Sequence, residues 1–388
     1  MKRVLILDDD PLVLRMLSQT LKLDGLEILT CRELEAAEIL MEHHDVDLVI
    51  SDLCVSPFGD LEGGRLLGHL ASQYPETRLI AISSTVNDRV RALLLGVGCA
   101  TVIEKPLQPE KLRRLVLETL GPAPAETTPG RVRTFEPIDD FLARTAIHAA
   151  LQPIVRLKPG RAPWRVEGVE CLARAPSDSP YANPEILFAY ASRKDRVLQA
   201  DLRCIEAGLA EAGRFGGDGK VFLNVLPRSM GSPSFASRVE DLVAAAGFAN
   251  SRIVFEITEQ QTILNPKALA ASLGRLKKSG FELAIDDYGE GFSNLQLVLD
   301  LEPAYLKLSR LFTRDLETDE RRRTVVSSTA QMASRLRMIT ILEGVETPVE
   351  AGLARSLGID CAQGYHIARP ARAEDLARAF PRTVPAAL

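Results

Sequence analysis

The sequence has little that suits a secreted or membrane-bound protein. Its six cysteines are scattered and form no CxxC pair, so we expect reduced thiols and no disulfide framework. No apolar run approaches the length of a membrane span. The N-terminus meets an acid cluster after only a few apolar residues, so no signal peptide is predicted. We therefore expect a cytoplasmic protein that does not associate with a membrane.

The chain also lacks a strong excess of charge of either sign. The formal net charge is −5 with both signs interspersed, which gives no reason to expect nucleic acid as a partner. No basic stretch follows a recognition helix, and this disfavours a transcription factor. The five histidines show no zinc-ligand spacing. Any metal site should therefore be rich in oxygen ligands, which favours Mg²⁺ or Mn²⁺.

What is present is enough apolar sequence for more than one core, since 46% of the 388 residues are hydrophobic. Residues 1–120 alternate five apolar β-like runs with amphipathic helical stretches. This pattern predicts an α/β domain with a doubly wound, five-stranded parallel sheet. Residues 121–138 are rich in proline, threonine and glycine, which predicts a linker.

Residues 139–388 hold a second alternating series with eight β-like runs. That number of strands in about 250 residues predicts a modified β/α barrel of the TIM type. The connection between the first two runs, RLKPGRAP at 156–163, is short and rich in proline and glycine. It leaves no room for a crossover helix, so the first strand should run antiparallel to the second.

Polar residues end four of the five predicted strands in residues 1–120. Asp8 and Asp9 end the first strand, Asp52 the third and Ser83 the fourth, and Lys105 follows the fifth. Because the carboxyl ends of such strands share one edge, these side chains should meet. Two acids can hold Mg²⁺, the third can accept a phosphoryl group, and the lysine and hydroxyl can bind its oxygens. The alternative is a solvated turn beside an ordinary loop.

This set of residues resembles the receiver domain of response regulators. The resemblance implies that Asp52 is the phosphoacceptor and that a sensor histidine kinase is a partner. It implies an Mg²⁺ site formed by Asp8, Asp9 and Asp52. It also implies that Ser83 and Lys105 sense the phosphoryl group.

A second set of polar residues ends the predicted strands of the barrel. Lone acids in apolar runs are costly to bury, and several on neighbouring parallel strands repel each other unless cations lie between them. The simplest interpretation is a metal-binding enzyme site. Taken singly, a glutamate could instead pair with an arginine, and the lysine could lie on the surface. The residues are Glu170, Asn224, Glu256, Asp286, Lys307 and Glu343.

The second series contains the triplet Glu170-Cys171-Leu172, followed by Arg174. It also contains QPIV at 152–155, EITE at 256–259, DDYGEGFSNL at 286–295, EGVE at 343–346 and QGYHIARP at 363–370. With these stretches it resembles the EAL-type cyclic-di-GMP phosphodiesterases over essentially all of residues 139–388, and the triplet stands at the place of the family's signature.

The charge argument and the resemblance agree on two sites for Mg²⁺ or Mn²⁺. The first would be formed by Glu170, Asn224, Glu256 and Asp286, and the second by Asp286, Asp287 and Glu343. The resemblance implies catalytic roles for Lys307, Glu343 and the loop-anchoring Glu259. It implies substrate contacts for Gln152, Arg174, Glu346 and Gln363.

The leading hypothesis is phosphorylation-regulated hydrolysis of cyclic di-GMP to linear pGpG by a two-metal mechanism, in a homodimer. The alternative is a weakly active or inactive receptor that binds cyclic di-GMP and signals through a protein partner. The complete metal shell favours hydrolysis. Two departures favour the receptor: Ser309 stands where the family has an acid, and Glu290 stands where it has a small hydroxyl residue.

Overall fold

The computed structural model describes residues 1–53, 62–83, 88–96, 98–121, 129–145, 147–157, 165–177, 179–258, 266–290 and 295–380. Within those ranges, no helix combines the length and apolar character needed to cross a membrane. The chain divides into two compact units. The first comprises Met1–Ala146 and Ala175–Arg196, and the second comprises Ile147–Arg174 and Val197–Leu388.

The first unit contains a six-stranded sheet flanked by helices. Its elements up to residue 144 are β1 (Lys2–Leu7), α1 (Pro11–Leu21), β2 (Leu26–Cys31), α2 (Leu34–His43), β3 (Leu48–Asp52), α3 (Glu62–Gln73), β4 (Arg78–Ser83), α4 (Asp88–Gly96), β5 (Thr101–Glu104), α5 (Pro109–Leu120), β6 (Arg131–Phe135) and α6 (Ile138–Arg144). The strand order is β5-β4-β3-β1-β2-β6, and all these pairings are parallel. The predicted doubly wound sheet is confirmed, with one strand more than expected.

The additional strand lies inside the segment that the sequence predicts to be a linker. In β6, the Thr134 hydroxyl lies 3.1 Å from that of Thr30, and Arg133 lies 3.3 Å from the Glu27 carboxylate. The linker prediction for residues 121–138 is therefore corrected at 131–135. The strand was missed because a short, polar edge strand lacks the apolar run by which the other five are recognised.

The second unit is a closed eight-stranded barrel. Elements from residue 148 onward are β7 (His148–Arg156), β8 (Arg165–Arg174), a 3₁₀ turn (Pro180–Ala182), α7 (Pro184–Arg193), α8 (Val197–Phe215), β9 (Lys220–Asn224), α9 (Pro227–Met230), α10 (Phe235–Ala245), a second 3₁₀ turn (Asn250–Arg252), β10 (Ile253–Thr258), α11 (Pro266–Lys278), β11 (Glu282–Tyr288), α12 (Leu295–Leu301), β12 (Tyr305–Leu308), α13 (Arg310–Thr313), α14 (Glu320–Arg335), β13 (Ile339–Leu342), α15 (Pro348–Ser356), β14 (Cys361–Ala362) and α16 (Ala373–Ala379). The strand order is β10-β11-β12-β13-β14-β7-β8-β9.

Strand β7 runs antiparallel to both of its neighbours, β8 and β14. The other barrel pairings are parallel. The prediction of a modified barrel with an antiparallel first strand is confirmed. The short connection after β7 forces this direction, because a parallel partner would need a crossover helix.

Residues 175–196, which contain α7, pack in the first unit although they connect two elements of the barrel. The Phe135 ring lies 4.5 Å from the Tyr181 ring and 5.0 Å from the Tyr190 ring, measured between centroids. On α7, Arg193 forms ion pairs with two acids of α2. The predicted boundary at residue 139 therefore does not coincide with the division between the units.

Candidate active site

The polar residues expected at the barrel site come together at the carboxyl ends of the parallel strands. Each predicted residue lies in, or directly after, a different strand from β8 to β13. They are Glu170 in β8, Asn224 in β9, Glu256 in β10, Asp286 in β11, Lys307 in β12 and Glu343 after β13.

Lys307 lies at the centre of this group. Its ammonium is 2.8 Å from carboxylate oxygens of Glu256, Asp286 and Glu343, and 3.2 Å from one of Glu170. Burial by itself lowers the pKa of Lys307, but the neighbouring carboxylates outweigh burial and raise the pKa well above its usual value. Lys307 is therefore a charged internal counter-ion, and its interpretation as a surface residue is wrong.

The carboxylates around Lys307 are not equivalent. Burial raises the pKa of Glu256 and of Glu343 well above the usual range, although Lys307 opposes this effect. Burial also acts on Glu170, but the Lys307 charge and hydrogen bonds from Gln363 and Asn224 outweigh it and lower the pKa of Glu170. The single ammonium of Lys307 thus does not offset the cost of burying a negative charge on Glu256 or on Glu343.

Two consecutive acids reach the same site because β11 is irregular at its end. In a regular strand, adjacent side chains point to opposite faces. The register of β11 against β12 shifts between Ile285 and Tyr288, and Asp287 has a φ of 52°. Such a bulge changes the direction of a side chain. As a result, carboxylate oxygens of Asp286, Asp287 and Glu343 lie within 4.8 Å of one another.

The site fits divalent cations. Carboxylate oxygens of Glu170, Glu256 and Asp286 also lie within 4.8 Å of one another, beside the group that contains Asp287 and Glu343. Glu256 Oε2 is buried and has no hydrogen-bond partner among the described residues, and a cation would satisfy it. Five carboxylates against one ammonium leave four negative charges when all are ionised. Two divalent cations would balance that charge.

Two residues expected to bind substrate form a chain of hydrogen bonds with Glu170. Gln363 Nε2 donates to Glu170 Oε2 at 2.6 Å and to Gln152 Oε1 at 3.0 Å. Gln152 Nε2 in turn donates to the carbonyl of Ala368 at 3.1 Å. Gln152 and Gln363 are only 8% and 4% exposed. The structure therefore joins both amides to Glu170 by hydrogen bonds, and their contact with substrate stays a prediction.

Other predicted residues are more open. Arg174 is exposed at the end of β8, and its Nη1 donates to Ala173 O at 2.9 Å. Glu346 is exposed and lies 2.7 Å from Arg310. Both side chains face solvent and are accessible to a ligand. Glu259, the expected loop anchor, lies outside the described residues.

The sequence did not indicate how the chain after Lys307 is held. Ser309 is fully buried, and its hydroxyl accepts from Leu311 N at 3.3 Å as the N-cap of α13. The Thr313 hydroxyl donates to the carbonyl of Glu343. A serine before a short helical stretch is an N-cap signal that could have identified Ser309, whereas nothing in the sequence links Thr313 to Glu343.

The first unit holds a separate acidic group at the carboxyl edge of its sheet. Carboxylate oxygens of Asp8, Asp9 and Asp52 lie within 4.8 Å of one another, which fits one cation. Lys105 Nζ lies 2.7 Å from Asp52 and 3.1 Å from Asp8. Burial raises the pKa of Asp8 and opposes the charged form of Lys105, but hydrogen bonds to the two acids raise the pKa of Lys105. Ser83 ends β4, and its carbonyl accepts from Lys105 N at 2.8 Å.

The chain belongs to the EAL domain family and carries an N-terminal receiver domain of the response-regulator type. The EAL domain family model matches residues 137–370, and the response regulator receiver domain model matches residues 4–117. The architecture predicted from the sequence is confirmed.

Three known proteins illustrate the similarity. The cyclic di-GMP phosphodiesterase RocR of Pseudomonas aeruginosa is 28% identical over 384 residues, which cover 95% of each chain. The probable cyclic di-GMP phosphodiesterase PdeN of Escherichia coli is 29% identical over 261 residues, which cover 64% of this chain and 48% of PdeN. A structure of Klebsiella pneumoniae BlrP1 with manganese and cyclic di-GMP is 30% identical, with a TM-score of 0.53 over 59% of this chain and 57% of BlrP1.

Proposed function

We propose that this chain hydrolyses cyclic di-GMP to linear pGpG, using two divalent cations held by the barrel acids. The observation that carries the proposal is the pair of adjoining carboxylate groups around Lys307. RocR is named as a phosphodiesterase for this nucleotide and PdeN as a probable one, and BlrP1 was solved with the nucleotide and manganese. Magnesium or manganese suits the oxygen-rich donors.

The side chains have distinct tasks in this proposal. Bound cations would polarise the attacking water and neutralise phosphate charge. Lys307 keeps its proton and places a positive charge opposite the charge that develops at phosphorus. Glu343 lies beside Asp286 and Asp287, and its carboxylate can accept a proton from the attacking water. The guanidinium of Arg174 can bind a phosphate oxygen.

Regulation by phosphorylation of Asp52 is the second part of the proposal. Lys105 beside Asp52, together with the adjoining acids, supports phosphoryl transfer from a sensor histidine kinase in the presence of Mg²⁺. Residues 175–196 fall within the EAL match but pack with the receiver domain. They give the receiver domain a covalent connection to the strand that carries Glu170. We propose a homodimer as the working assembly.

The test is incubation of the purified protein with cyclic di-GMP and Mn²⁺, followed by chromatography of the products. Glu170→Gln should lower turnover by roughly 100-fold, because a cation loses a charged ligand. Glu167→Gln is the matched control on the same strand, since Glu167 pairs with Arg156 at 2.6 Å, away from Lys307. Normal turnover in a folded Glu170→Gln protein would contradict the proposed site.

A cyclic di-GMP receptor without turnover is the second candidate. Ser309 favours it, because its hydroxyl caps a helix where the family has an acid. Nucleotide binding by the wild-type protein with no pGpG formed at any Mn²⁺ concentration would establish this candidate instead.

A further inference from the structure

Asp201 is a buried carboxylate on α8 with no part in the site described above. It is 1% exposed, and its Oδ2 accepts from the backbone amide of Leu226 at 3.3 Å. No lysine or arginine of the described residues forms an ion pair with it. Burial raises the pKa of Asp201 to about 7, against the lowering effects of the Ser229 hydroxyl and the Leu226 amide. An unpaired acid in this position is costly.

The amide that donates to Asp201 belongs to Leu226, which is two residues after the candidate metal ligand Asn224. Strand β9 ends at Asn224, and Leu226 is the N-cap of α9. The amide of Val225 donates to Glu256 O at 3.1 Å, and the amide of Leu226 donates to Asp201. The two residues after Asn224 are therefore anchored on one side to the strand that carries Glu256 and on the other to α8.

The side chain of Asn224 has little support of its own. It is exposed, and its Nδ2 donates to Glu170 Oε1 at 3.1 Å. With so few contacts, its direction depends on the backbone at the end of β9. Residues behind metal ligands that fix their orientation commonly affect metal affinity by 10–100-fold.

We propose that Asp201 is a positioning residue: it holds the turn after β9 through the Leu226 amide, so that the amide of Asn224 faces Glu170, Glu256 and Asp286. Asp201 thereby sets the affinity of the barrel for its first cation. This inference rests on the proposed function, since it takes Asn224 as a ligand. An acceptor oxygen suits this role because a backbone amide left without a hydrogen-bond partner in a buried position is costly.

Glu211 provides a matched control for a purely structural role. It lies on the same helix, is 2% exposed, and accepts a backbone amide, that of Ala373, at 2.8 Å. Its partner is the first residue of α16 and not the turn after Asn224. Loss of either carboxylate should lower stability, but only the loss of Asp201 should change cation binding.

The experiment measures Mn²⁺ binding by calorimetry in the full-length protein without nucleotide, beside thermal unfolding and cyclic di-GMP hydrolysis. Asp201→Ala should weaken Mn²⁺ binding at one site by roughly tenfold. Asp201→Asn keeps an acceptor oxygen and should restore most of the affinity. Glu211→Gln should lower the Tm and leave Mn²⁺ affinity unchanged.

A double variant tests whether Asp201 acts through Asn224. In the Asn224→Ala background, Asp201→Ala should cause no further loss of Mn²⁺ affinity, because Asp201 affects the cation only through the position of the Asn224 side chain. An equal further loss there, or wild-type Mn²⁺ affinity in folded Asp201→Ala, would overturn the inference. If Asp201→Ala does not fold, Leu226→Pro removes the donor instead, at a position whose φ of −74° suits proline.

Leu226→Pro should then show the same tenfold loss, and unchanged affinity in that variant would equally overturn the inference. The wild-type protein separates this result from the proposed function. A wild type that neither binds Mn²⁺ nor forms pGpG refutes the proposed function. A wild type that does both, with Asp201→Ala unchanged, refutes only the role of Asp201.

Discussion

At the scale of single residues, hydrogen-bond donors and not distances distinguish the acids of the barrel. Lys307 contacts Glu170, Glu256 and Glu343 at similar range. Of these three, Glu170 alone also accepts from two amides, those of Gln363 and Asn224, and it alone of the three has a lowered pKa. The other two stay under-compensated. A cation therefore gains most from Glu256 and Glu343, where negative charge is least stabilised by the protein.

The acid that follows Asp286 makes cation binding depend on pH. Burial and the charges of Asp286 and Glu290 raise the pKa of Asp287 to about 6. As the pH falls through that value, Asp287 gains a proton that competes with the cation. We expect the Mn²⁺ concentration for half-saturation to rise about tenfold per pH unit below about pH 6, as measured by calorimetry.

Glu290→Ser removes one of the charges that raise the pKa of Asp287, so it should move the onset of this effect to lower pH. An onset that does not move would show that Glu290 does not act on Asp287. In the cation-free protein, low pH favours the folded state, whereas it weakens cation binding. The folded state holds the Asp287 proton more tightly than the unfolded chain, so this group's contribution to stability is present at low pH and is lost as pH rises through about 6.

At the scale of helices and strands, burial decided what the sequence could predict. Buried runs of apolar residues, such as VLIL in β1 and LVI in β3, identified those strands, and the short connection after β7 indicated its direction. β6 escaped prediction because it is an edge strand with polar side chains. The bulge at Asp286 and Asp287 escaped because a register shift leaves no trace in composition. The bond from Gln363 to Glu170 joins residues 193 positions apart, beyond any local pattern.

Gly289 is a further test at this scale, because it directly follows the irregular end of β11. Its φ is 102°, and a Cβ there would overlap the Phe312 ring. Gly289→Ala should lower the free energy of unfolding by about 1–3 kcal/mol and reduce hydrolysis, since Asp286 and Asp287 would shift with the backbone. Urea denaturation and the product assay measure the two effects.

Gly274→Ala is the matched control for this substitution. Gly274 lies in α11, and a Cβ there would meet no atom within 4 Å. Alanine should be neutral or stabilise that helix by up to about 1 kcal/mol. If Gly289→Ala is as stable and active as the Gly274→Ala protein, the end of β11 tolerates movement, and its irregular backbone is not needed to place Asp286 and Asp287.

At the scale of the whole molecule, contacts within the first unit connect the acidic group of Asp8, Asp9 and Asp52 to α7. Arg32 Nε donates to Asp9 O at 3.0 Å, beside the acidic group. The next residue, Glu33, pairs with Lys194 at 3.0 Å, and Tyr190 donates to the same carboxylate. The path runs from the acidic group through the start of α2 to the segment between β8 and α8.

We expect beryllofluoride to change the hydrolysis rate through this path, on the order of 5–150-fold, the usual range for allosteric coupling. Lys194→Ala should reduce that response in part, since partly exposed ion pairs are individually weak. Arg203→Ala, which removes an exposed ion pair within α8, should leave the response unchanged. Equal rates with and without beryllofluoride, matching Asp52→Ala, would show that the receiver domain does not control the barrel.

The aromatic cluster of Phe135, Tyr181 and Tyr190 limits how the two domains can be recombined with other domains in evolution. The chain passes between its two units three times, so no single cut separates them. A segment taken from residue 137 onward keeps both tyrosines and loses Phe135, which leaves rings that are 1% exposed without their cover. The segment from residue 137 onward is thus not a self-contained folding unit that can be transferred to another protein unchanged. A new receiver domain joined to it by recombination would have to bring its own sixth strand, ending in an aromatic residue of matching size.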